Sequence, residues 1–417
     1  MASEPAGWPT GTVDSLMDAI IDYRGKTPKK TTSGVPLVTA KLIKNGRIKK
    51  ATEFIAADDY DNWMRRGLPK VGDVLITTEA PLGEVAQLRS ADVALAQRVI
   101  LLRGREQTLN NTFLKFALQS RPVQAELHAR SSGTTVLGIK QRELRKVSLP
   151  LPPLDEQWRI AAVLGALDDK IELNRKMNRT LEEMAQAIFK SWFIDFDGVP
   201  DSEMVERELG PIPKGWEVKP VNEIIQFNPR TRLVKGTLAT FVDMRALPTT
   251  GCSVSGVVKK VLKSGGAKFM RGDILLARIT PCLENGKTAL VDFLASNEVA
   301  FGSTEFIVMR PTGPLGREWV YCLARSAEFR QHATSNMTGS SGRQRVPIDC
   351  FSHFAMPEPP ATVAKRFEAV TSPLFDRIKA NADESRTLAH LRDALLPKLI
   401  SGAVRVPEAD EPAEVVV

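Results

Sequence analysis

Cysteine is scarce in this sequence, and long apolar runs are missing. The 417 residues include four cysteines, which are Cys252, Cys282, Cys322 and Cys350. No two of them are close in sequence, which argues against a zinc knuckle or a disulfide framework and favours buried free thiols. No run of 18 apolar residues occurs, and the first residues lack the cationic and apolar regions of a secretory leader. We therefore expect a cytoplasmic protein that makes no membrane contact.

Sequence signatures of catalysis and of metal binding are missing too. Residues 285–288 read NGKT, like the end of a phosphate-binding loop, but that motif needs glycine where Pro281 stands. The four histidines lack metal-ligand spacing, and no GxSxG nucleophile motif is present. The carboxylates Asp195, Asp197 and Asp201 lie beside glycine and proline and are interpreted as solvated charges. A glycine-rich cofactor loop and the Pro-Pro motif of a DNA-base methyltransferase are not found. The sequence thus predicts neither a catalytic centre nor a metal site.

Positive charge is in excess and is concentrated in two regions. The chain carries 57 Lys and Arg against 49 Asp and Glu, for a net charge of +8 and a pI near 9.3. Residues 24–50 contain nine basic side chains and no acidic one, and residues 244–272 contain six basic side chains and no acidic one. Such a distribution favours a polyanionic partner, of which nucleic acid is the leading candidate.

One long helix is predicted from Leu154 to Phe193. Prolines prevent an earlier start, while Asp155 and Glu156 place negative charge at the electropositive N-terminus. Apolar residues then recur at helical spacing, with one stutter in the seam. They are Ile160, Leu164, Leu167, Ile171, Leu173, Met177, Leu181, Met184, Ile188 and Trp192. A helix of this length forms a rod of about 60 Å at about 1.5 Å per residue, and its apolar side needs a covering partner.

A second stretch repeats the first at a constant offset of 207 residues. Arg179-Thr180-Leu181, for example, matches Arg386-Thr387-Leu388. Two such helices can pair antiparallel and cover each other's apolar sides as a coiled coil. The alternative is two independent amphipathic helices on separate domains. Pro373 is expected to kink or restart the second helix, and Gly402 is expected to end it.

Each long helix follows a region in which strand and helix patterns are mixed. In the first region, strands are expected at 71–78 and 93–102, and helices at 112–120 and 122–129. The plan restarts after residue 214, where Gly215-Trp216 repeats Gly7-Trp8 and residues 270–277 repeat residues 70–77. The chain therefore looks like two copies of one arrangement that differ in loop length.

Four phrases carry a resemblance to a known family. They are LPLPPLDEQWRIAAVLGALDDKIELNRK from residue 149, AIFKSWFIDFD from 187, ELGPIPKGWEV from 208 and LRDALLPKLISG from 391. In this order they resemble the specificity (S) subunits of type I restriction–modification enzymes, and the resemblance covers nearly the whole chain. It implies a non-catalytic subunit whose two target recognition domains each read one half of a split sequence in double-stranded DNA.

The resemblance also implies partners and cofactors. Two long helices would dock two modification (methyltransferase) subunits, which in turn recruit restriction subunits. S-adenosylmethionine is expected in the partner methyltransferase, ATP and magnesium are expected in the restriction subunit, and no cofactor is expected in this chain.

The predicted fold class is α+β, with two mixed α/β target recognition domains separated by two long antiparallel coiled-coil helices in a pseudo-twofold internal repeat. The expected boundaries are 1–150 for the first recognition domain, 151–195 for the first helix and 196–214 for a linker. They are 215–358 for the second recognition domain, 359–403 for the second helix and 404–417 for a disordered acidic tail.

Recognition domains vary within the family, so DNA-contacting residues are nominated on physical grounds alone. Basic, amide and hydroxyl side chains on loops beside the strands can contact phosphates or base edges. In the first domain these are Lys26, Lys29, Lys30, Thr134, Thr135, Lys140 and Gln141. In the second they are Arg278, Asn285, Lys287, Ser341, Arg343, Gln344 and Arg345. Trp192 and Phe193 either cap a core or belong to the methyltransferase docking surface.

Two other functions remain open from the residues themselves. One is a free-standing DNA methyltransferase or nuclease with an unfamiliar site. The other is a coiled-coil adaptor that has no role with nucleic acid. Methyl transfer by the chain alone would favour the enzyme, and salt-dependent DNA binding would exclude the adaptor.

Overall fold

The computed structural model describes residues 7–407 except residues 24 and 26. These residues fall into two units. Unit 1 comprises those up to Lys170 together with those from Thr387 onward, and unit 2 comprises Ile171–Arg386. Helices and sheets are mixed in both units, which confirms the predicted α+β class. Among the residues described, no helix is both long and apolar enough to cross a membrane.

Unit 1 is built on an antiparallel four-stranded sheet that is covered on one face by helices. Its strands are β1 (Thr10–Thr12), β2 (Met17–Asp22), β3 (Val35–Val38), β4 (Ile43–Lys44), β5 (Arg47–Ile48), β6 (Phe54–Ile55), β7 (Val74–Thr78), β8 (Leu82–Gln87), β9 (Ala94–Leu95), β10 (Val99–Gly104) and β11 (Ser148–Pro150). Its helices are α1 (Val13–Leu16), α2 (Tyr60–Trp63), α3 (Asn111–Gln119), α4 (Arg121–Ala129), α5 (Gln141–Leu144), the first part of α6 (Leu154–Phe193) and the last part of α10 (Ala361–Ser401). The four-stranded sheet has the order β2-β10-β7-β8, and a three-stranded sheet has the order β6-β3-β9.

Alternation along the strands divides the core of unit 1 in two. Ile100 and Leu102 face the cluster that contains α3, α4 and the long helices, while Leu101 faces the cluster beside the three-stranded sheet. This is the period of two that a strand buried on both faces requires. The predicted strand at 93–102 is interrupted, since β9 ends at Leu95 and β10 begins at Val99. The two predicted helices are found as α3 and α4.

Unit 2 repeats this plan and adds strands. Its strands are β12 (Met204–Arg207), β13 (Gly210–Pro213), β14 (Glu217–Pro220), β15 (Ile225–Phe227), β16 (Leu238–Val242), β17 (Val258–Val261), β18 (Ala267–Met270), β19 (Ile274–Ala277), β20 (Thr288–Leu290), β21 (Val299–Gly302), β22 (Phe306–Pro311) and β23 (Ala355–Glu358). Its helices are α7 (Val221–Ile224), α8 (Arg317–Arg325), α9 (Ala327–Ser335), most of α10 (Ala361–Ser401) and the second part of α6. The sheet β15-β22-β19-β20 has the same strand order as β2-β10-β7-β8.

The two long helices pack together within each unit. In unit 1, Ile160 and Leu164 of α6 share a core with Leu399 and Ile400 of α10. In unit 2, Phe189 of α6 packs on a ring of α10 and on a ring of α8. Higher residue numbers on α6 lie opposite lower numbers on α10, so the helices are antiparallel, as predicted. The alternative of two independent amphipathic helices is therefore wrong.

Two local expectations differ from the structure. The segment 196–214, expected to be a linker, contains the hairpin of β12 and β13, and Ile212 is buried in the core of unit 2. Glycine, proline and charged residues interrupt any apolar period in this segment, which hid the two short strands. Helix α10 runs through Pro373 without a break, so the predicted restart does not occur. Residues 408–417 of the predicted tail lie outside the described part of the chain.

Candidate nucleic-acid interface

In unit 1, two loops meet at the end of strand β7. The loop 132–138 is closed by reciprocal backbone hydrogen bonds between Ser132 and Gly138, of 2.8 and 2.9 Å. The same loop is bridged to Glu79, which follows β7. Thr134 and Thr135 lie exposed at its tip. The loop is therefore fixed at its base and presents the hydroxyls of Thr134 and Thr135 to solvent.

A basic concavity lies beside this pair of loops. It has a volume of about 270 Å³, and its lining includes Lys30, Lys41, Gln97, Arg98 and Ala80 of the β7–β8 connection. Lys30 and Lys41 both donate to one oxygen of Glu53 at 3.1 Å. These hydrogen bonds, from Lys41 and then Lys30, lower the pKa of Glu53. One carboxylate thus partly offsets two ammonium groups, and the surface stays cationic.

The other candidates of the first domain lie at the edges of this region. Lys29 and Lys140 are exposed, and Gln141 is half-buried in the first turn of α5. The described part of the chain offers no hydrogen-bond partner for these three side chains. Lys26 lies outside the described residues. Lys41 and Arg98 were not singled out from the sequence, because only the fold brings residues so far apart to one surface.

In unit 2, an equivalent pair of loops meets at the end of strand β19. The loop 338–345 is closed by backbone hydrogen bonds between Thr338 and Arg345, of 3.0 and 2.8 Å. Its Gln344 carbonyl accepts a hydrogen bond of 3.0 Å from the amide of Thr280, in the connection after β19. All seven candidates of the second domain lie on these two loops. The arrangement at the end of β7 is thus repeated at the end of β19.

Three of these candidates are already bonded within the chain. Arg345 makes a two-pronged ion pair with Glu305, with the closest atoms 2.8 Å apart. This hydrogen bonding lowers the pKa of Glu305. Lys287 donates from Nζ to the carbonyl of Met244 at 2.8 Å, and Arg278 donates to the carbonyl of Val346 at 3.0 Å. We interpret these three as residues that shape the loops.

The remaining candidates present their side chains outward. Asn285, Ser341 and Arg343 are exposed, and Gln344 is half-buried. No hydrogen bond from these side chains to another described residue is found. An amide, a hydroxyl and a guanidinium on one surface are suited to base edges and phosphates.

Two arginines beneath the β19–β20 connection were missed by sequence reasoning. Arg325 ends α8 and donates to the carbonyl of Gly286 at 2.7 Å. Arg330 lies on α9 and donates to the carbonyl of Glu284 at 3.0 Å. Burial, and next the nearby charge of Arg325, lower the pKa of Arg330. Both arginines lie on helices about 40 residues further along, so no local pattern links them to the loop.

The nomination of Phe193 as a docking residue is wrong for this structure. Phe193 is fully buried, with its ring 5.0 Å from the ring of Phe367 and 5.9 Å from that of Trp216. Trp192 is half-buried against Phe367, and the guanidinium of Arg366 lies 5.2 Å from its ring. Phe193 therefore caps a core, which is the alternative that the sequence left open, and Trp192 alone stays partly accessible.

The cysteines largely follow expectation. Cys252, Cys322 and Cys350 are buried, and Cys282 is partly exposed in the β19–β20 connection. Burial raises the pKa of the Cys350 thiol to about 11. In the described part of the chain, no three His, Cys, Asp or Glu side chains are arranged to hold a metal ion.

Comparison with known proteins gives consistent similarities. Residues 5–183 match the model of the type I restriction modification DNA specificity domain. The MjaIX specificity subunit of Methanocaldococcus jannaschii, a type I restriction enzyme subunit, is 27% identical over 390 residues, which are 90% of this chain and 88% of that protein. The EcoEI specificity subunit of Escherichia coli is 31% identical over 208 residues, which are 49% of this chain and 35% of that protein.

A solved structure shares the fold. The type I restriction–modification S subunit from M. genitalium aligns with a TM-score of 0.54 and 16% sequence identity, covering 96% of this chain and 97% of that one. The matched regions together span both copies of the internal repeat, including both long helices. Residues 5–183 thus match the type I restriction modification DNA specificity domain, and most of the chain is similar to a type I restriction enzyme specificity subunit.

Proposed function

We propose that this chain is the non-catalytic subunit that reads a bipartite DNA sequence within a type I restriction–modification complex. The observation that carries the proposal is the repeated pair of loops at the ends of β7 and β19. Each unit presents exposed polar and basic side chains there, and each unit has its own core. Two similar surfaces on one chain suit a target that has two separate halves.

Phosphate and base contacts divide among these residues by chemistry. Lys29, Lys140 and Arg343 are exposed cations that neutralise phosphates and so make binding depend on salt. Thr134, Thr135, Ser341 and Gln344 carry the hydroxyl and amide groups that reach base edges or sugar–phosphate oxygens. The proposed DNA is double-stranded, because two half-sites at a fixed spacing require a regular duplex. The proposed location is the cytoplasm, as this substrate implies.

The proposed partners are two modification subunits and, through them, restriction subunits. Met184 and Leu391 are related by the 207-residue offset and are 46% and 47% exposed. Equivalent exposed apolar residues in the two copies suit two copies of one partner. S-adenosylmethionine would be bound by the modification subunits, and ATP with magnesium by the restriction subunit.

Methylation of a randomised duplex library tests the DNA-reading role. The chain with its modification subunits should methylate a two-part sequence, and the modification subunits without it should show no such preference. Affinity should fall steeply as salt rises. Methyl transfer by this chain alone would contradict the proposal and favour a free-standing enzyme. Binding that ignores salt would favour an adaptor.

Substitution of the two exposed apolar residues tests the stoichiometry. Native mass spectrometry of the complex should show two modification subunits per copy of this chain. Met184→Asp and Leu391→Asp should each reduce that number to one, and the double variant should bind none. Glu183→Asp, beside Met184, is a conservative control that should leave two bound. A single modification subunit on the unaltered chain would refute the proposed pair.

A further inference from the structure

The β19–β20 connection is much longer than its counterpart in unit 1. Ten residues, 278–287, separate β19 from β20, whereas three residues, 79–81, separate β7 from β8. The extra length forms a compact loop, residues 282–287. Its Leu283 is buried in the core of unit 2. The loop is therefore anchored and does not hang free in solvent.

Backbone hydrogen bonds fix the turn in this loop. The amide of Asn285 donates to the carbonyl of Pro281 at 3.0 Å, and that of Gly286 donates to the carbonyl of Leu283 at 2.8 Å. The amide of Lys287 donates to the carbonyl of Cys282 at 3.0 Å. With these bonds formed, the exposed Asn285 side chain lies at the outer point of a closed turn.

Arg325 and Arg330 fix the loop through hydrogen bonds to its backbone. Their guanidinium groups bind the carbonyls of Gly286 and Glu284, the two residues that flank Asn285. Gly286 has a φ of +74°, and a Cβ there would lie 3.0 Å from Nη2 of Arg330. The loop thus rests directly on the guanidinium, with no room for a side chain between them.

In unit 1 the same two helix positions bind strand β8, which follows the shorter connection. Gln119 ends α3 as Arg325 ends α8, and it donates to the carbonyl of Val85 at 3.3 Å. Gln124 is the fourth residue of α4, as Arg330 is of α9, and it donates to the carbonyl of Gly83 at 2.8 Å. Both units therefore use these helix positions to bind backbone carbonyls. Glutamine binds two carbonyls of β8 in unit 1, and arginine binds two carbonyls of the longer connection in unit 2.

Arg325 also connects the loop to the long helix α6. Its Nε lies 3.5 Å from Oε1 of Glu182, and the same oxygen accepts a hydrogen bond of 2.5 Å from the hydroxyl of Tyr321. Glu182 is buried. A loop braced on a helix core is suited to hold a side chain in one place, as base readout requires.

We infer that residues 282–287 form a base-reading loop of the second recognition domain, in which Asn285 contacts a base edge in the major groove and Arg325 and Arg330 are positioning residues. This inference rests on the proposed DNA-reading function. A carboxamide can make two hydrogen bonds to adenine, through N6 and N7. The predicted readout is therefore an A·T base pair in the half-site that unit 2 contacts.

Selection from a randomised duplex library tests the inference, with the full chain in its modification complex. Asn285→Ala should reduce the preference at one or two base pairs of a single half-site by about tenfold and leave the other half unchanged. Arg330→Ala should reduce the preference at the same base pairs, and adding Asn285→Ala should reduce it no further. Arg330→Gln, which copies Gln124, should restore part of it. The neighbouring exposed Gln331→Ala is the matched control.

Cys282 supplies a second readout that does not require a substitution. It is the partly exposed thiol of the loop, and the other three thiols are buried. A duplex containing the selected site should protect Cys282 from maleimide more than a scrambled duplex does. If Arg330→Ala does not fold, this measurement still tests whether the loop contacts the selected DNA, and Arg330→Gln tests the positioning role.

Each outcome separates the inference from the function on which it rests. If the unaltered complex selects no sequence, the proposed function fails. If it selects a sequence that Asn285→Ala leaves unchanged and Cys282 is not protected, the loop does not read DNA. If Arg330→Ala weakens all sites equally without altering the preference, Arg330 is not a positioning residue.

Discussion

Asp168 of α6 lies between two cations of unit 1. It accepts hydrogen bonds from Lys115 of α3 and, at 2.7 Å, from Arg392 of α10. Its own side chain is 15% exposed and that of Lys115 is 8% exposed. Burial acts to raise the pKa of Asp168, but the charge of Lys115 and the hydrogen bonds of both cations outweigh it and lower the pKa overall. This carboxylate therefore joins α3 of unit 1 to both long helices.

The lowered pKa of Asp168 predicts an acid-sensitive contribution to stability. Because its folded-state pKa is below the unfolded value of about 3.9, the contribution is complete above that value and is lost as pH falls through the folded pKa. Urea unfolding of unit 1 should therefore show a steeper loss below about pH 4 for the unaltered chain than for Asp168→Asn. The adjacent Asp169→Asn, whose side chain is 66% exposed, should keep the steep loss. Parallel pH profiles for all three proteins would contradict the prediction.

A buried ion pair is duplicated between the units. Arg103 binds Asp73, and Arg310 binds Asp273, each through two hydrogen bonds of 2.7 Å. Both aspartates are 1% exposed. Each also accepts a hydrogen bond from the backbone amide three residues earlier, that of Lys70 or that of Met270 at the end of β18. The pair thus ties the turn, one central strand and the next strand together in both units.

Loss of one pair should destabilise one unit. Asp73→Asn removes the charge that two guanidinium hydrogen bonds need, which costs about 2 kcal/mol of unfolding free energy. Hydrogen exchange followed by mass spectrometry should show faster exchange in unit 1 alone, and Asp273→Asn should show it in unit 2 alone. The exposed Glu208→Gln, in the β12–β13 turn, is the control. Faster exchange in both units after either substitution would disprove independent cores.

At the scale of the helices, the seam of unit 2 contains a polar layer. Asn174 and Asn381, related by the 207-residue offset, are 0% and 2% exposed. Asn174 donates to Oγ of Ser385 at 3.3 Å and to Glu384 at 2.7 Å, while Asn381 donates to Oδ1 of Asn178 at 2.8 Å. Buried amides at such positions fix the register of a coiled coil at a cost in stability.

The polar layer predicts non-additive substitutions. Asn381→Leu leaves the side-chain oxygen Oδ1 of Asn178 without this donor and should cost about 1–3 kcal/mol of unfolding free energy. Asn174→Leu combined with Asn381→Leu places two apolar side chains in the same layer and should cost less than the sum of the single changes. Urea unfolding of the four proteins measures this. Lys176→Leu, on the solvent face, controls for added hydrophobicity. If the losses of unfolding free energy in the two single variants add up to the loss in the double variant, the prediction is wrong.

Periodicity and repeat spacing were enough to predict both helices and the duplicated architecture. They depend on local pattern, and α6 spans Leu154–Phe193 as expected. The candidate surface was predicted less completely. The amine of Lys287 is occupied by a carbonyl more than 40 residues away, and Phe193 is covered by rings from α10 and the β13–β14 turn. Such long-range contacts leave no local signal, and for the same reason Arg325 and Arg330 were missed.

For the whole molecule, separate cores predict modular specificity. Residues 1–150 can be replaced by the matching domain of a relative, because β1 pairs with β11 and both strands of that ladder are exchanged together. The chimera should recognise a target changed in one half only, since sites without shared contacts behave additively. Methylation-sensitive sequencing of DNA treated with the chimeric complex reads both halves. A target altered in both halves would show that the units do not read independently.

The polar layer of the long helices has one further consequence. Asn381 is the counterpart of Asn174 in the second copy of the helix, and Asn178 is the counterpart of Ser385 in the first copy. The Asn174–Ser385 contact and the Asn381–Asn178 contact are therefore equivalent. An interface in which residue i meets j and j meets i is isologous, as in a twofold homodimer. A chain holding a single copy of this helix would therefore be self-complementary. The present sequence therefore has the form of such a homodimer joined into one chain.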